Sequence, residues 1–180
     1  MFPLTLRNKK GGELTYEEID NNFKHVMFPP FLHIQDQKPQ GTNGGTFTSG
    51  AWQTRDLNTV LTNTITGASL ADNQITLPAG KYYVEASAAA TMVRVHKTRL
   101  YNITDTNESV SGLQVNAHEI GYVNNTAPLN GIFDISAEKT FELQHRCLNT
   151  KTTTGFGNAS DFTTEVYSDI RIWRIGEIDW

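Results

Sequence analysis

The chain has 180 residues, 38% of them hydrophobic, and a formal net charge of −4 from 15 Lys and Arg against 19 Asp and Glu. The basic residues are scattered, which excludes the concentrated positive patch that nucleic-acid binding needs. No apolar run approaches the roughly 20 residues of a membrane-spanning helix, so we expect no membrane insertion. The length is enough for one domain of ordinary size plus a short appendage.

The chain contains a single cysteine, Cys147, which cannot form an internal disulfide. The first ten residues lack the apolar core of a secretory signal peptide. Together these observations predict a chain that folds in a reducing cytoplasm. Packing and association, rather than covalent cross-links, would then stabilise it.

The N-terminal part of the chain is predicted to form one short helix. Thr15 is followed three residues later by Glu18, the spacing of a capping box in which each side chain binds the other residue's N–H. Leu14 and Ile19 stand on either side of this cap, where two apolar side chains form a hydrophobic staple. The sequence Pro29-Pro30 ends the helix, because proline cannot continue it.

The predicted helix has an apolar stripe made of Ile19, Phe23 and either Val26 or Met27. A helix of about three turns is marginal in water by itself, so this stripe should pack against something. One alternative is the base of the domain that follows in the same chain. The other is a neck shared with further copies, or a socket in a neighbouring protein. The candidate anchoring residues of this segment, residues 1–30, are Leu14, Ile19, Phe23 and Met27.

Residues 31–180 are predicted to form one all-β domain. Short runs with a period of two alternate with segments rich in Gly, Thr and Asn, and no helical period follows residue 30. The predicted strands are Phe31–Asp36, Trp52–Thr62, Gln74–Leu77, Lys81–Ala90, Val93–Thr104, Leu113–Val123, Gly131–Ser136, Thr140–Leu148 and Thr163–Ile175. Gly131–Ser136 and Thr140–Leu148 are expected to form a hairpin across Ala137–Lys139. Many short strands at regular spacing favour a β-sandwich or a jelly roll.

Leu77–Ala90 is the most clearly patterned stretch of the chain. A Pro-Ala-Gly turn leads into a strand in which Tyr82, Val84, Ala86 and Ala88 fall on one face. The apolar character of this face predicts that it is buried. Its side chains shrink from Tyr and Val to Ala, which predicts that another part of the molecule packs closely against the far end.

This turn and strand resemble the central strand of the tumour-necrosis-factor and complement-globular-head jelly rolls, which form trimers. Further strings along residues 31–176 resemble the knob that closes many phage tail-fibre proteins. These strings are Trp52–Thr59, Arg99–Asp105, Glu142–Cys147, Gly155–Gly157 and Thr164–Gly176. The resemblance implies a homotrimeric jelly-roll knob with a short helical segment at its N-terminus. It implies no particular ligand, because the same fold serves many partners.

The segment Thr5–Phe23 carries a second resemblance. Its string Arg7-Asn-Lys-Lys-Gly-Gly-Glu-Leu-Thr15, followed by Asp20-Asn-Asn-Phe23, is similar to a short N-terminal motif of phage tail-fibre and related virion proteins. The resemblance implies that residues 1–30 attach the chain to another virion protein.

His145 and Cys147 are two residues apart on a predicted strand, so both side chains point to the same face. A metal site would need further ligands from other strands or from other copies of the chain. The remaining histidines show no metal-ligand spacing, and we expect no metal and no cofactor. A core cysteine beside a hydrogen-bonded histidine is the preferred interpretation. Three copies of His145 meeting on a threefold axis is the alternative.

The loop before the last predicted strand is the candidate host-contact loop. In the jelly-roll interpretation both chain ends lie at the base of the knob, which places residues 149–162 at the outer end. Hydroxyl and amide groups, one cation and an aromatic ring suit contact with sugars. The residues that carry this chemistry are Lys151, Thr153, Phe156 and Asn158. A solvated loop is the alternative, and the position of Phe156 between two glycines also fits a structural role.

The sequence therefore predicts a phage virion protein, a homotrimeric knob in the tail fibre or tail tip that contacts a glycan or protein on the host surface. The alternative is a capsid decoration or head-fibre protein anchored to the shell through residues 1–30. No enzyme is predicted, because the acidic residues show no spacing that singles out a catalytic pair for glycan hydrolysis. The protein is expected to be made in the host cytoplasm and to be located in the virion.

Overall fold

The computed structural model describes residues 11–118, 120, 121 and 123–175, and for residues 25–27 it describes the backbone alone. One helix, α1, spans Tyr16–Met27. Eleven strands lie within the described residues. Their bounds are β1 Phe31–Lys38, β2 Gln53–Thr54, β3 Thr59–Asn63, β4 Ser69–Ala71, β5 Gln74–Leu77, β6 Gly80–Ala90, β7 Arg94–Asn102, β8 Asn107–Ala117, β9 Asn125–Ile135, β10 Lys139–Cys147 and β11 Glu165–Ile175.

The predicted capping box of α1 is present. The Thr15 hydroxyl accepts a hydrogen bond from the Glu18 N–H at 3.2 Å, and the Glu18 carboxylate accepts one from the Thr15 N–H at 2.7 Å. The helix ends before Phe28, whose N–H donates to the Lys24 carbonyl. The two reciprocal bonds satisfy N–H groups that the start of a helix leaves unpaired, so the local sequence sets where α1 begins.

Two antiparallel sheets pack face to face. The five-stranded sheet has the order β3-β1-β11-β6-β9, and the six-stranded sheet has the order β4-β5-β10-β7-β8 with β2 paired to β10. Strands β8 and β9 meet at adjoining edges of the two sheets, where a Cβ on Gly131 would overlap the side chain of Val110. This architecture confirms the predicted jelly-roll sandwich with one short helix.

The register of the strands defines the two ends of the sandwich. Phe31 at the start of β1 pairs with Trp173 near the end of β11, so the described chain enters and leaves at one end, here called the base. Ala90 and Cys147 finish β6 and β10 at the opposite end, here called the outer end. The outer-end connections are residues 39–52, 91–93, 118–124 and 148–164, of which 119 and 122 lie outside the described residues.

The predicted hairpin of Gly131–Ser136 with Thr140–Leu148 is wrong. The observed strands β9 and β10 belong to different sheets, because β9 pairs with β6 while β10 pairs with β7, β5 and β2. The connection between them, residues 136–138, therefore crosses from one sheet to the other. Local sequence does not separate the two arrangements, because hairpin turns and corners between sheets use the same polar residues.

Three further strand predictions need correction, the first being Gly131–Ser136, which is the end of the longer strand β9 that begins at Asn125. Trp52–Thr62 is two strands, since β2 pairs in the six-stranded sheet and β3 in the five-stranded sheet. The segment between them carries the buried side chains of Arg55 and Leu57. The strand expected at Leu113–Val123 lies earlier, at Asn107–Ala117. Few residues of β8 are large and apolar, so its hydrophobic alternation is weak.

The inward face of β6 forms the centre of the core. Tyr82, Val84, Ala86 and Ala88 are buried, as the period of two predicts. Each large apolar side chain buried in this way contributes about 1.5–3 kcal/mol. The cluster is completed by side chains from both sheets, among them Leu32, Ile34, Leu100, Phe141, Leu143, Ile170 and Ile172.

The close approach predicted at the far end of β6 is made by an arginine. The Arg55 side chain is fully buried, and its guanidinium donates to the Ala89 carbonyl at 3.4 Å. The small alanines of β6 leave space for this group at the outer end. Around it lies a second, smaller apolar cluster of Phe47, Ala90, Val93, Ala117 and Cys147, with Phe156 packed against it.

Candidate binding surface at the outer end

Two long loops at the outer end, residues 39–52 and 148–164, are joined by backbone hydrogen bonds. The main chains of Phe47 and Lys151 exchange two bonds, of 2.9 and 3.0 Å, and the Phe156 N–H donates to the Gly45 carbonyl at 3.1 Å. Because these loops pair their polar backbone groups with each other rather than with water, they form a fixed structure.

Glu165 at the start of β11 ties the same two loops together. Its buried carboxylate accepts hydrogen bonds from the N–H groups of Ser160, Asp161 and Gly41 at 3.0, 2.7 and 3.2 Å. The Ser160 hydroxyl donates to it as well, at 3.0 Å. Donors favour the charged carboxylate, and the Ser160 N–H has the largest effect in holding the pKa of Glu165 below its ordinary value.

Asn124 connects the third long loop of the outer end to this structure. Its side chain accepts a hydrogen bond from the Asn158 N–H at 2.7 Å and donates one to the Asn158 carbonyl at 2.8 Å. The Thr91 hydroxyl also donates to the Asn124 side chain. All four outer-end connections are therefore linked through named polar contacts.

A buried guanidinium lies directly beneath the loops. Arg55 donates to the Ser168 hydroxyl at 2.8 Å, to the Tyr167 carbonyl at 3.0 Å and to the Phe156 carbonyl at 3.3 Å. Burial lowers the pKa of Arg55 to about 10, so the group is still charged at neutral pH. A buried charge is tolerated only when its donors are satisfied, and Arg55 satisfies them with the loops and strands that it joins.

The four predicted contact residues differ in exposure. Thr153 is exposed, whereas Lys151 and Asn158 are half-buried. Phe156 is half-buried too, with its ring centroid 4.4 Å from that of Phe47 and 4.0 Å from the Arg55 guanidinium. This packing supports the structural alternative for Phe156. Host contact by the loop stays a prediction.

An exposed aromatic side chain in the same loop, Phe162, is not among the contact residues predicted from the sequence. Phe162 is 83% exposed, and the loop of residues 118–124 adds Ile120 and Val123, which are 79% and 59% exposed. Large apolar side chains that face water at one end of a molecule indicate a binding surface. The two glycines that flank Phe156 are the one local difference from Phe162, and they indicate a structural role for Phe156 without showing that Phe162 is exposed. Only the fold shows which of the two rings is covered.

His96 and His145 form a buried pair at the outer end of the six-stranded sheet. His96 Nδ1 lies 2.9 Å from His145 Nε2, and the two residues are 1% and 0% exposed. Burial is the main cause that lowers both pKa values, to about 4 for His96 and well below the ordinary value for His145, and Arg55 is the second. The alternative in which three copies of His145 meet on an axis is wrong, because this ring has no exposed surface.

Cys147 lies opposite His96 in the register of β10 and β7. Its thiol donates to the Asn149 carbonyl at 3.3 Å, and burial raises its pKa to about 11. The thiol is therefore neutral and behaves as a small core side chain. Within the described residues, no group of three or more His, Cys, Asp or Glu side chains is arranged to hold a metal ion.

A row of apolar side chains crosses the outward face of the five-stranded sheet near the base. Phe31, Trp173, Tyr83 and Ile132 occupy neighbouring positions on β1, β11, β6 and β9. The ring centroids of Phe31 and Trp173 are 4.9 Å apart, those of Trp173 and Tyr83 are 5.7 Å apart, and Ile132 is 58% exposed. This aromatic row, as we call it, is a second candidate surface, suited to packing against protein.

The predicted anchoring residues of α1 lie at the surface of the single chain. Ile19 is 36% exposed and Phe23 is 63% exposed, whereas Leu14 is half-buried. The side chain of Met27 lies outside the described residues. The exposure of Ile19 and Phe23 disfavours packing against the base of the same chain. Within the part of the chain that the structure describes, no helix has the length and apolar character to cross a membrane.

The arrangement of the two sheets is similar to that in crystal structures of murine APRIL, a member of the tumour-necrosis-factor family. The structure at pH 5.0 matches with a TM-score of 0.52 and 7% identity, over 81% of this chain and 98% of that chain. The structure at pH 8.0 matches with a TM-score of 0.50 and 9% identity, over 80% and 98%. The fold is a jelly roll of this type. At such low identity the likeness shows the fold alone.

The globular domain of zebrafish complement 1qA protein gives a TM-score of 0.45 and 12% identity, over 82% of this chain and 97% of that chain. No protein-family model matches the sequence, and no curated protein matches it either.

Proposed function

We propose that this chain is a homotrimeric knob of a phage virion, located in the tail fibre or tail tip, which contacts the host surface through its outer-end loops. The observation that carries the proposal is the construction of the outer end. Buried Arg55 donates to the Phe156 carbonyl and buried Glu165 accepts from loop N–H groups, while Phe162 and Thr153 remain exposed. A rigid scaffold that presents loop side chains to solvent is the usual arrangement of a binding module.

The assignment to a phage is supported by the sequence. The N-terminal motif of Thr5–Phe23 is similar to that of tail-fibre and related virion proteins, and the strings along the domain are similar to their knobs. The jelly-roll fold agrees with this resemblance without requiring it, because one fold serves many functions.

The homotrimer is supported by the aromatic row. A partly exposed strip of Phe31, Trp173, Tyr83 and Ile132 leaves apolar surface in water on a single chain. Covering such a strip with a further copy removes this surface from water, at about 25 cal/mol for each Å². Association would also stabilise a chain that has no internal disulfide and that we place on the outside of the virion.

Residues 1–30 are assigned the role of attachment to another virion protein. Ile19 and Phe23 are exposed on a helix that is too short to be stable by itself, and a partner would cover them. This observation equally favours the second candidate function, a capsid decoration or head-fibre protein. In that case the helix is the functional site and the outer-end loops have no ligand.

The test is the binding of the fluorescently labelled chain to a panel of intact bacteria. We expect the variant Phe162→Ser to bind at least about tenfold more weakly, because the loss of an aromatic side chain that anchors an interface costs about 2 kcal/mol or more, and a factor of ten corresponds to about 1.4 kcal/mol. The matched control is Phe28→Ser, which removes a 73% exposed ring next to α1. Equal binding by the two variants would refute the assignment of the outer end. Failure of the unmodified chain to bind any strain would favour the decoration protein.

A further inference from the structure

Two nitrogens of the buried histidine pair lack hydrogen-bond partners. In a neutral pair one ring donates and the other accepts, so one hydrogen bond of 2.9 Å joins His96 Nδ1 and His145 Nε2. The other two, His96 Nε2 and His145 Nδ1, are buried and find no partner among the described residues. Whichever tautomers are present, one N–H and one lone pair remain unsatisfied. The pair is therefore held at a cost that must be offset by its surroundings.

Protonation destabilises the buried histidine pair in two steps. A first proton leaves the bond between the rings possible but adds an unpaired N–H and a charge in a dry site. A second proton places two N–H groups against each other across 2.9 Å, so the bond between His96 and His145 is lost. Each step favours any motion that lets the rings reach water.

The groups named below either repel a positive charge on the two histidines or are uncharged. Arg55 is the permanent cation whose field reaches both rings. Cys147, opposite His96 on β10, is a neutral thiol. The side chains of the outer-end apolar cluster are uncharged. Phe47 and Phe156 come from the two long loops, and Ala90 and Val93 come from β6 and the turn after it. Ala117 comes from β8.

The pair is in contact with the loops that form the candidate binding surface. The Phe47 ring centroid lies 4.6 Å from that of His145, and the Phe156 ring centroid lies 6.4 Å from it. Phe47 belongs to residues 39–52 and Phe156 to residues 148–164, the two loops joined by backbone hydrogen bonds. A displacement of the His145 ring therefore acts on both loops.

We propose that His96 and His145 form an acid-sensitive latch, which holds the outer-end loops closed while both rings are neutral and releases them when the rings are protonated. The direction of the pH dependence follows from the fact that burial lowers the pKa values of the two histidines. Ordinary histidine has a pKa of 6.5, and burial lowers that of His96 to about 4. An opened outer end therefore binds more protons than the closed one. The closed form is fully favoured above pH 6.5 and loses this advantage as the pH falls to 4.

The latch acts on the surface to which we assign host contact and in that sense rests on the proposed function. Its test measures loop opening directly, so that it can succeed or fail independently of binding to cells.

The experiment is amide hydrogen exchange of the full chain between pH 7.5 and pH 4, expressed as protection factors to remove the intrinsic effect of pH. The reporters are the loop amides of Gly44, Gly45, Phe47 and Phe156, each bonded to the other loop. The reference amides at the base are Thr64, Ile103 and Arg174. We expect loop protection to fall about tenfold or more between pH 6.5 and pH 4, while the base is unchanged.

The double variant His96→Gln, His145→Gln keeps a donor and an acceptor at each position but does not titrate there. Its loop protection should therefore be constant from pH 7.5 down to pH 5, which is above the ordinary pKa of 4.5 from which that of Glu165 is lowered. The control His33→Gln, at the base end of β1, should behave like the unmodified chain. Imidazole NMR titration of the unmodified chain gives a readout that needs no variant. Loops that stay protected at pH 4, a base that opens with the loops, or either buried ring titrating at its ordinary value would overturn the latch.

Discussion

At the scale of single residues, the outer end is organised by groups that lie beneath it rather than on it. Arg55 donates to the Tyr167 and Phe156 carbonyls and to the Ser168 hydroxyl. Glu165 accepts from N–H groups of both long loops. Such buried charged groups are weak evidence of net stability, but they specify one loop arrangement, because any other would leave a charge unpaired.

Gly157 supplies a prediction at the same scale. Its φ is +135°, and a Cβ there would overlap the ring of Tyr167, whose hydroxyl donates to the Thr42 carbonyl at 2.7 Å. We expect Gly157→Ala to lower the free energy of unfolding by about 3 kcal/mol, through backbone strain and overlap together. The measurement is urea unfolding.

The matched control for that substitution is Gly50→Ala. Gly50 has φ of +98° and nothing within 4 Å of its added Cβ, so only the backbone term remains, at about 1 kcal/mol. If the two variants lose equal stability, the contact of Gly157 with Tyr167 does not constrain the loop.

At the scale of elements, α1 is a helix with its own start signal and a largely exposed apolar face. We expect Phe23→Ser to leave the midpoint of thermal unfolding of the sandwich unchanged, because this ring is 63% exposed. The same substitution at the fully buried Phe141 should cost about 3–5 kcal/mol. The measurement is the thermal transition followed by circular dichroism in the β region.

The same variant distinguishes attachment to the phage particle from contact with the host. Phe23→Ser should reduce binding to purified phage particles that lack this protein, since it removes the apolar contact of α1. Binding to bacteria should persist if the outer end contacts the host. A fall in the unfolding midpoint comparable to that of Phe141→Ser would show instead that α1 packs on the sandwich.

At the scale of the whole molecule, the question is how many chains associate. We expect sedimentation equilibrium to give three times the 20.1-kDa mass of the chain. The aromatic row would supply part of the interface, so Ile132→Glu, which puts a charge beside Tyr83, should weaken association strongly.

The control is Leu113→Glu on β8 of the other sheet, a position that is 70% exposed and therefore tolerates a charge in the single chain. A monomer at micromolar concentration would remove the support for a trimer, and equal weakening by both substitutions would place the interface elsewhere.

Several parts of this structure could be predicted from the sequence because they depend on neighbours along the chain. The start of α1 follows from Thr15 and Glu18, and the buried face of β6 follows from the alternation that begins at Tyr82. The jelly-roll class follows from many such short segments. Hydrogen bonds three residues apart and side chains two residues apart are fixed by backbone geometry alone.

The tertiary structure decided what depends on distant partners. The chain passes from β9 to β10 by crossing between sheets rather than by a hairpin, and Arg55 is buried although arginine ordinarily lies at the surface. Phe156 is half-buried while Phe162 is exposed, although both belong to the loop of residues 148–164. Strand pairing and side-chain burial are set by contacts between segments far apart in the chain, so a local pattern of residues does not predict them.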